Sequence, residues 1–183
     1  MKKEYKHPFI ARLMHWTWVI LMLILILTGV YIHEPSWMPI FPDFAFVWPM
    51  HIISGFLVLA ITVARIFVSF LIGDFKELDM EPKHVPQIIP VMKYYLFLQK
   101  DEPQQGKYNA GQRMLYGLGW PFLLVLMAVT GILLYFFPGE VVIRSIHWIG
   151  AWLLVVTALA HIYLGAIHGW KMVKSMITGW LEE

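Results

Sequence analysis

The chain has 183 residues, 59% of them apolar and 14% charged, with a mean hydropathy of +0.64; soluble proteins lie nearer about 45–50% and about 25%. Four helices of about 20 residues account for this excess without leaving room for a separate soluble domain, so a soluble enzyme is excluded. The absence of Cys excludes disulfides, thiolate-held iron–sulfur clusters and covalent c-type haem, and leaves the eight His as candidate ligands for a redox cofactor. A formal net charge of +2 offers no footprint for nucleic acid.

In chain order, Leu13 to Ile32 is free of Asp, Glu, Lys and Arg and long enough for one span; Lys2, Lys3, Lys6 and Arg12 precede it. No small-residue cleavage site follows it, so an uncleaved first span is expected. Phe44 to Ala64 is uncharged and continues past Arg65 to Ile72. Gly73 to Arg113 is rich in charge and contains Pro82, Pro86, Pro90 and Pro103. Within it Val91 to Leu98 reads either as a short helix on the bilayer surface or as a loop. Met114 to Gly139 and Ser145 to Trp170 are two further uncharged runs, each longer than the first. The expected fold is a single all-α membrane domain over residues 1–183, a bundle of four transmembrane helices at about 12–33, 47–72, 112–137 and 143–170, with a loop at about 73–111. Of the 14 basic residues, only Arg144 falls on one side; by the positive-inside rule both termini and the long loop face the cytoplasm.

Four His, at 15, 51, 147 and 161, stand at candidate inward-facing positions of the spans. His161 follows His147 at an interval that in a helix is about 40° short of whole turns and about 21 Å of rise, so they share a face at two depths. His15 matches the depth of His161, and His51 that of His147, giving one pair near each membrane face. Facing His in a four-helix bundle can hold a metal or a haem, the imidazoles supplying axial nitrogens and the porphyrin the other four. Two haems so placed make an electron path across the bilayer; the alternative is that these His are polar packing residues.

The same interval recurs as His15/Gly29, His51/Arg65 and Gly117/Gly131. Gly29, Gly117 and Gly131 would let a flat macrocycle approach the backbone, or serve as small-residue helix contacts. Arg65, with Arg12 and Arg144 one turn from a proposed ligand, would pair with haem propionates, or act as interface anchors. A weak repeat aligns His51-Ile-Ile-Ser-Gly-Phe-Leu with His147-Trp-Ile-Gly-Ala-Trp-Leu, and Leu27-Thr-Gly with Val129-Thr-Gly. His7, His33, His84 and His168 read as surface or interfacial residues. Asn109 and Gln112 fall where the loop meets the third span, placed either to reach a quinone carbonyl or to cap a helix.

The stretch His7-Pro8-Phe9-Ile10-Ala11-Arg12-Leu13-Met14-His15-Trp16, the Thr28-Gly29 step, Gly106-Lys107-Tyr108-Asn109-Ala110-Gly111-Gln112 and the His147/His161 spacing resemble the cytochrome b (gamma) subunits of bacterial respiratory formate dehydrogenases and the related nickel–iron hydrogenase cytochromes. The likeness covers essentially the whole chain. It implies two haem b groups, with His51 and His147 on the outer iron and His15 and His161 on the cytoplasmic-side iron. It also implies a quinone pocket walled by Asn109, Gly111, Gln112 and His161, where menaquinone or ubiquinone is reduced. The partners implied are a periplasmic iron–sulfur subunit and a catalytic dehydrogenase subunit, in the bacterial inner membrane. The competing expectations are a hydrogenase cytochrome, a stand-alone diheme cytochrome b that reacts with quinone, and, more remotely, a metal transporter using His pairs.

Overall fold

The computed structural model describes residues 3–73, 81–101, 103, 109–167 and 169–182. Gly106, Lys107, Tyr108 and His168 lie outside the described residues. The protein is helical, and four stretches are long and apolar enough to cross a bilayer: Phe9–His33, Phe44–Leu71, Ala110–Phe136 and Val141–Ala166. Large apolar side chains such as Phe67, Phe122, Val141 and Ile162 are exposed along them, as lipid-facing helices require. The backbone divides into two compact units, one of Met1–Ile66 with Ala151–Glu183 and one of Phe67–Gly150.

In the first unit, α1 (Phe9–His33) ends where Glu34 turns extended before Pro35, because a residue preceding proline is disfavoured in helical conformation. The Glu34 carboxylate accepts from the Ser36 amide and hydroxyl and caps the short turn Pro35–Trp37. Helix α2 (Phe44–Ile72) is started by Asp43, whose carboxylate accepts from the Phe46 amide at 2.8 Å. It runs into the second unit and closes at Gly73 with φ +76°.

The loop carries a helix, α3 (Ile88–Tyr95), beginning three residues before the run singled out in the sequence. Val91 is buried, while Ile89, Met92, Leu96 and Phe97 are exposed. The third span is built of α4 (Ala110–Met114), a π-helical turn (Leu115–Gly119) and α5 (Trp120–Phe136). Pro121 has no N–H to bond the carbonyl four residues back, at Gly117, which accounts for the wider turn at this point.

Helix α6 (Val141–Ile167) is followed by Gly169, at φ +90°, and by a separate helix α7 (Trp170–Thr178). The final span therefore begins and ends earlier than its uncharged run: the helix stops before Gly169, and Lys171 and Lys174 belong to α7. Gly179, at φ +88°, terminates α7 in the left-handed conformation. The chain then forms β2 (Trp180–Glu182), antiparallel to β1 (Lys3–Tyr5). The two ends of the chain thus meet on one side of the first unit. Arg12 donates to the Ile177 carbonyl at the end of α7, where a cation also opposes the negative end of the helix dipole. Lys6 and His7 amides donate to the Gly179 carbonyl at 2.9 and 3.2 Å.

A Cβ at Gly179 would stand 3.1 Å from the His7 carbonyl oxygen and 3.2 Å from Arg12 Cζ, in a backbone conformation that L-residues resist. Gly179→Ala is expected to cost roughly 1–3 kcal/mol and to loosen the ribbon. Faster amide exchange at Lys6 and His7, with a lower melting temperature in detergent, would bear this out; unchanged exchange would refute it.

Candidate functional site

Helix α1 presents His15 and α6 presents His161 within the first unit. Their ring centroids are 6.3 Å apart and the planes are inclined at 59°. A metal about 2 Å from one nitrogen of each imidazole, with each nitrogen about 1 Å from its ring centre, sets the centroids about 6 Å apart. The spacing therefore fits one metal ion between the two rings. Among the described residues no group of three or more His, Cys, Asp or Glu is placed to hold a metal. Two imidazoles suffice for an iron whose other four ligands come from a porphyrin, whereas a bare ion held by side chains wants three or four. Trp16 packs edge-on against His15, with centroids 5.4 Å apart, and its indole N–H donates to the Met176 carbonyl at 3.1 Å, tying this level to the end of α7.

His51 and His147 have the same local setting, one in each unit. In the first unit His51 Nδ1 lies 2.8 Å from Thr28 Oγ1. In the second His147 Nδ1 lies 2.8 Å from Thr130 Oγ1. The glycines that follow these threonines make room for the rings. A Cβ at Gly29 would lie 3.3 Å from His51 Cε1, and one at Gly131 would lie 3.4 Å from His147 Cε1. At these two positions the missing Cβ leaves room for the edge of an imidazole.

The other expected residues fall in several settings. Arg12 and Arg144 are each bonded to a backbone carbonyl, of Ile177 and Pro138 respectively. Arg65 is half-buried in α2. Gly117 lies inside the π-helical turn, so the stretch from there to Gly131 does not run in unbroken α-helix. Asn109 and Gln112 form a reciprocal capping box at the start of α4: Asn109 Oδ1 accepts from the Gln112 amide at 3.0 Å, and Gln112 Oε1 accepts from the Asn109 amide at 3.1 Å. Asn109 Nδ2 donates to Tyr95 Oη at 2.6 Å, and a Cβ at Gly111 would touch Val91, so α3 is seated on α4 at this box. The capping alternative left open by the sequence is thus realised in the structure.

Sequence reasoning missed the roles of Thr28, Thr130 and Tyr95. For the threonines a signal was present, since the Thr-Gly step occurs in both halves of the repeat. For Tyr95 nothing marked one aromatic among its neighbours.

The pattern of the family described as prokaryotic cytochrome b561 matches residues 6–179. The cytochrome b556(Fdn) subunit of the nitrate-inducible formate dehydrogenase of Escherichia coli (strain K12) is 29% identical over 191 aligned residues, covering 99% of this chain and 83% of its own. The formate dehydrogenase cytochrome b556 subunit of Haemophilus influenzae is 28% identical, covering 92% of this chain and 77% of its own. A probable Ni/Fe-hydrogenase B-type cytochrome subunit of Azotobacter chroococcum mcd 1 is 24% identical, over 96% of this chain and 86% of that one. With the match running through all four spans, the chain belongs to the prokaryotic cytochrome b561 family.

Proposed function

We propose that this chain is the diheme cytochrome b subunit of a respiratory oxidoreductase of the formate dehydrogenase type, carrying electrons across the bacterial inner membrane to a quinone. The observation that carries the reading is the His15–His161 pair, 6.3 Å apart in a protein of this family. In this reading His15 and His161 hold the cytoplasmic-side haem, and His51 and His147 hold the outer one. The second pairing is supported by the matched Thr-Gly settings of the two His and by their matched depths in the sequence. Haem, when bound, supplies a one-electron couple in a site without thiolates.

The chain's own contribution is position and insulation. Apolar helices keep water and ions away from the imidazoles, and each threonine-bound imidazole is oriented by a hydroxyl of the neighbouring span. Arg65, half-buried in α2, would balance propionate charge at the inner level. The two arginines bonded to carbonyls would reach propionates only through their remaining N–H groups. Asn109, Gly111, Gln112 and His161 would contribute to the wall of a quinone pocket.

The distribution of basic residues supports cytoplasmic termini, in which case quinone protons would be drawn from that side. Substrate oxidation would occur on a partner, with a periplasmic iron–sulfur subunit feeding the outer haem. A hydrogenase complex is the second reading, favoured by the similarity to the Azotobacter cytochrome.

The purified chain is expected to carry two haems by haem extraction and reduced-minus-oxidised absorption, and His161→Ala to retain only the outer one. Fewer than two haems in the unaltered chain, or loss of both in a folded His161→Ala, would overturn the assignment. Native mass spectrometry of the detergent-solubilised complex should show iron–sulfur and catalytic subunits, whose masses separate formate dehydrogenase from hydrogenase; a stable lone subunit would sink the complex reading.

Asn109→Ala should lower quinone reduction tenfold or more while haem reduction by the upstream donor persists. Because the cap is also lost, stability should fall by about 1–2 kcal/mol. Unaltered KM and kcat for quinone would remove Asn109 from the pocket.

A further inference from the structure

A neutral imidazole has one N–H and one lone pair, and only the lone pair can bind a metal. Inside a bilayer the N–H must also find an acceptor, since water does not reach it. Which nitrogen faces the metal is therefore decided by where the acceptor stands. At His51 and His147 that acceptor is a threonine hydroxyl from a neighbouring helix.

The direction of the bond follows from the threonines' other contacts. Thr28 Oγ1 is 2.6 Å from the Ile24 carbonyl oxygen of its own helix, and Thr130 Oγ1 is 2.7 Å from that of Leu126. A carbonyl only accepts, so each hydroxyl hydrogen is committed to the backbone and the oxygen presents lone pairs to the ring. The imidazole must then donate from Nδ1. Both threonines are buried, at 0% and 5% exposure, which shields the bond from exchange with solvent. A donor already polarised by a carbonyl is also a better acceptor. The adjoining glycine seats the ring's Cε1 edge, so hydroxyl and glycine together fix both tautomer and position. The arrangement occurs independently in the two units, with the imidazole at 2.8 Å from the hydroxyl in each.

We propose that Thr28 and Thr130 are positioning residues that hold His51 and His147 as Nδ1–H tautomers, direct Nε2 to the iron, and lower the reduction potential of the haem these histidines bind. The inference rests on the ligand assignment made above. A bond accepted from Nδ1–H makes the coordinating nitrogen more basic, and a more basic ligand favours ferric over ferrous iron.

The experiment uses the full chain in its detergent-solubilised complex, with Thr28→Val, Thr130→Val, the double variant, and Thr28→Ser and Thr130→Ser. Valine keeps the shape and removes the oxygen; serine keeps the oxygen. Haem content and the midpoint potential of each haem are read by redox titration of the absorption spectrum, alongside His51→Ala.

Each valine variant should raise the potential of one haem alone, by up to tenfold in its reduction equilibrium, or about 59 mV for one electron. The double variant should exceed either single one, the serine variants should return towards the unaltered value, and the second haem should stay put. Loss of one haem with valine but not with serine supports the proposal equally, because it still isolates the hydroxyl. Two haems retained in the valine variants with both potentials unchanged overturn it, as does equal haem loss with serine and valine. Those results leave the ligand assignment standing if His51→Ala still removes one haem; two haems in His51→Ala overturn both.

Discussion

In hydrocarbon a polar side chain has no solvent to fall back on, and one device in this protein repeatedly answers that constraint. A threonine hydroxyl donates to a carbonyl of its own helix and accepts an N–H from another. Thr62 does so with the Val58 carbonyl and the Trp18 indole; Thr28 and Thr130 do so with the two imidazoles. The device leaves the backbone ladder intact, because the hydroxyl uses the carbonyl's second lone pair. It also converts a helix surface that is otherwise featureless to lipid into one with a fixed angular address. Within each unit these bonds fix one span against its neighbour, beside dispersion contacts that carry no such direction.

The spans and the four intramembrane His were legible because length and polarity suffice to see them: an ionisable residue in a long uncharged run stands out. The nearness of His15 to His161 was legible from helical rise, which gives the two the same depth. Other features required contacts between distant parts of the chain. Nothing near Lys3–Tyr5 indicates that Trp180–Glu182 will pair with it. Arg12 looked like a group for propionates because its distance from His15 is a local fact, whereas its partner Ile177 lies near the far end of the sequence. The helix end before Gly169 was hidden by a run that stays uncharged to Trp170, since hydropathy does not register φ.

The start of the third span shows a different limit. Gly117 stood out in the sequence only for its spacing from Gly131, but Pro121, four residues on, removes one rung of the ladder and widens the turn. The Asn109–Gln112 box lies immediately before that turn and holds Tyr95 of α3. A rigid cap and a loosened turn are thus adjacent. Helix α3 is fastened to the end of the span that is least regular.

The first unit is assembled from the chain's two extremes, Met1–Ile66 and Ala151–Glu183, while the second is one continuous stretch. During synthesis all of Phe67–Gly150 is therefore available before α1 can meet α6 or β1 can meet β2. His15 and His161, on the first span and the last, are among the last partners to come together. Closure of the ribbon by Arg12 and Gly179 is accordingly a late event in biogenesis. It falls after every span has been delivered to the membrane, and a chain stalled before α6 would present His15 with no opposing imidazole.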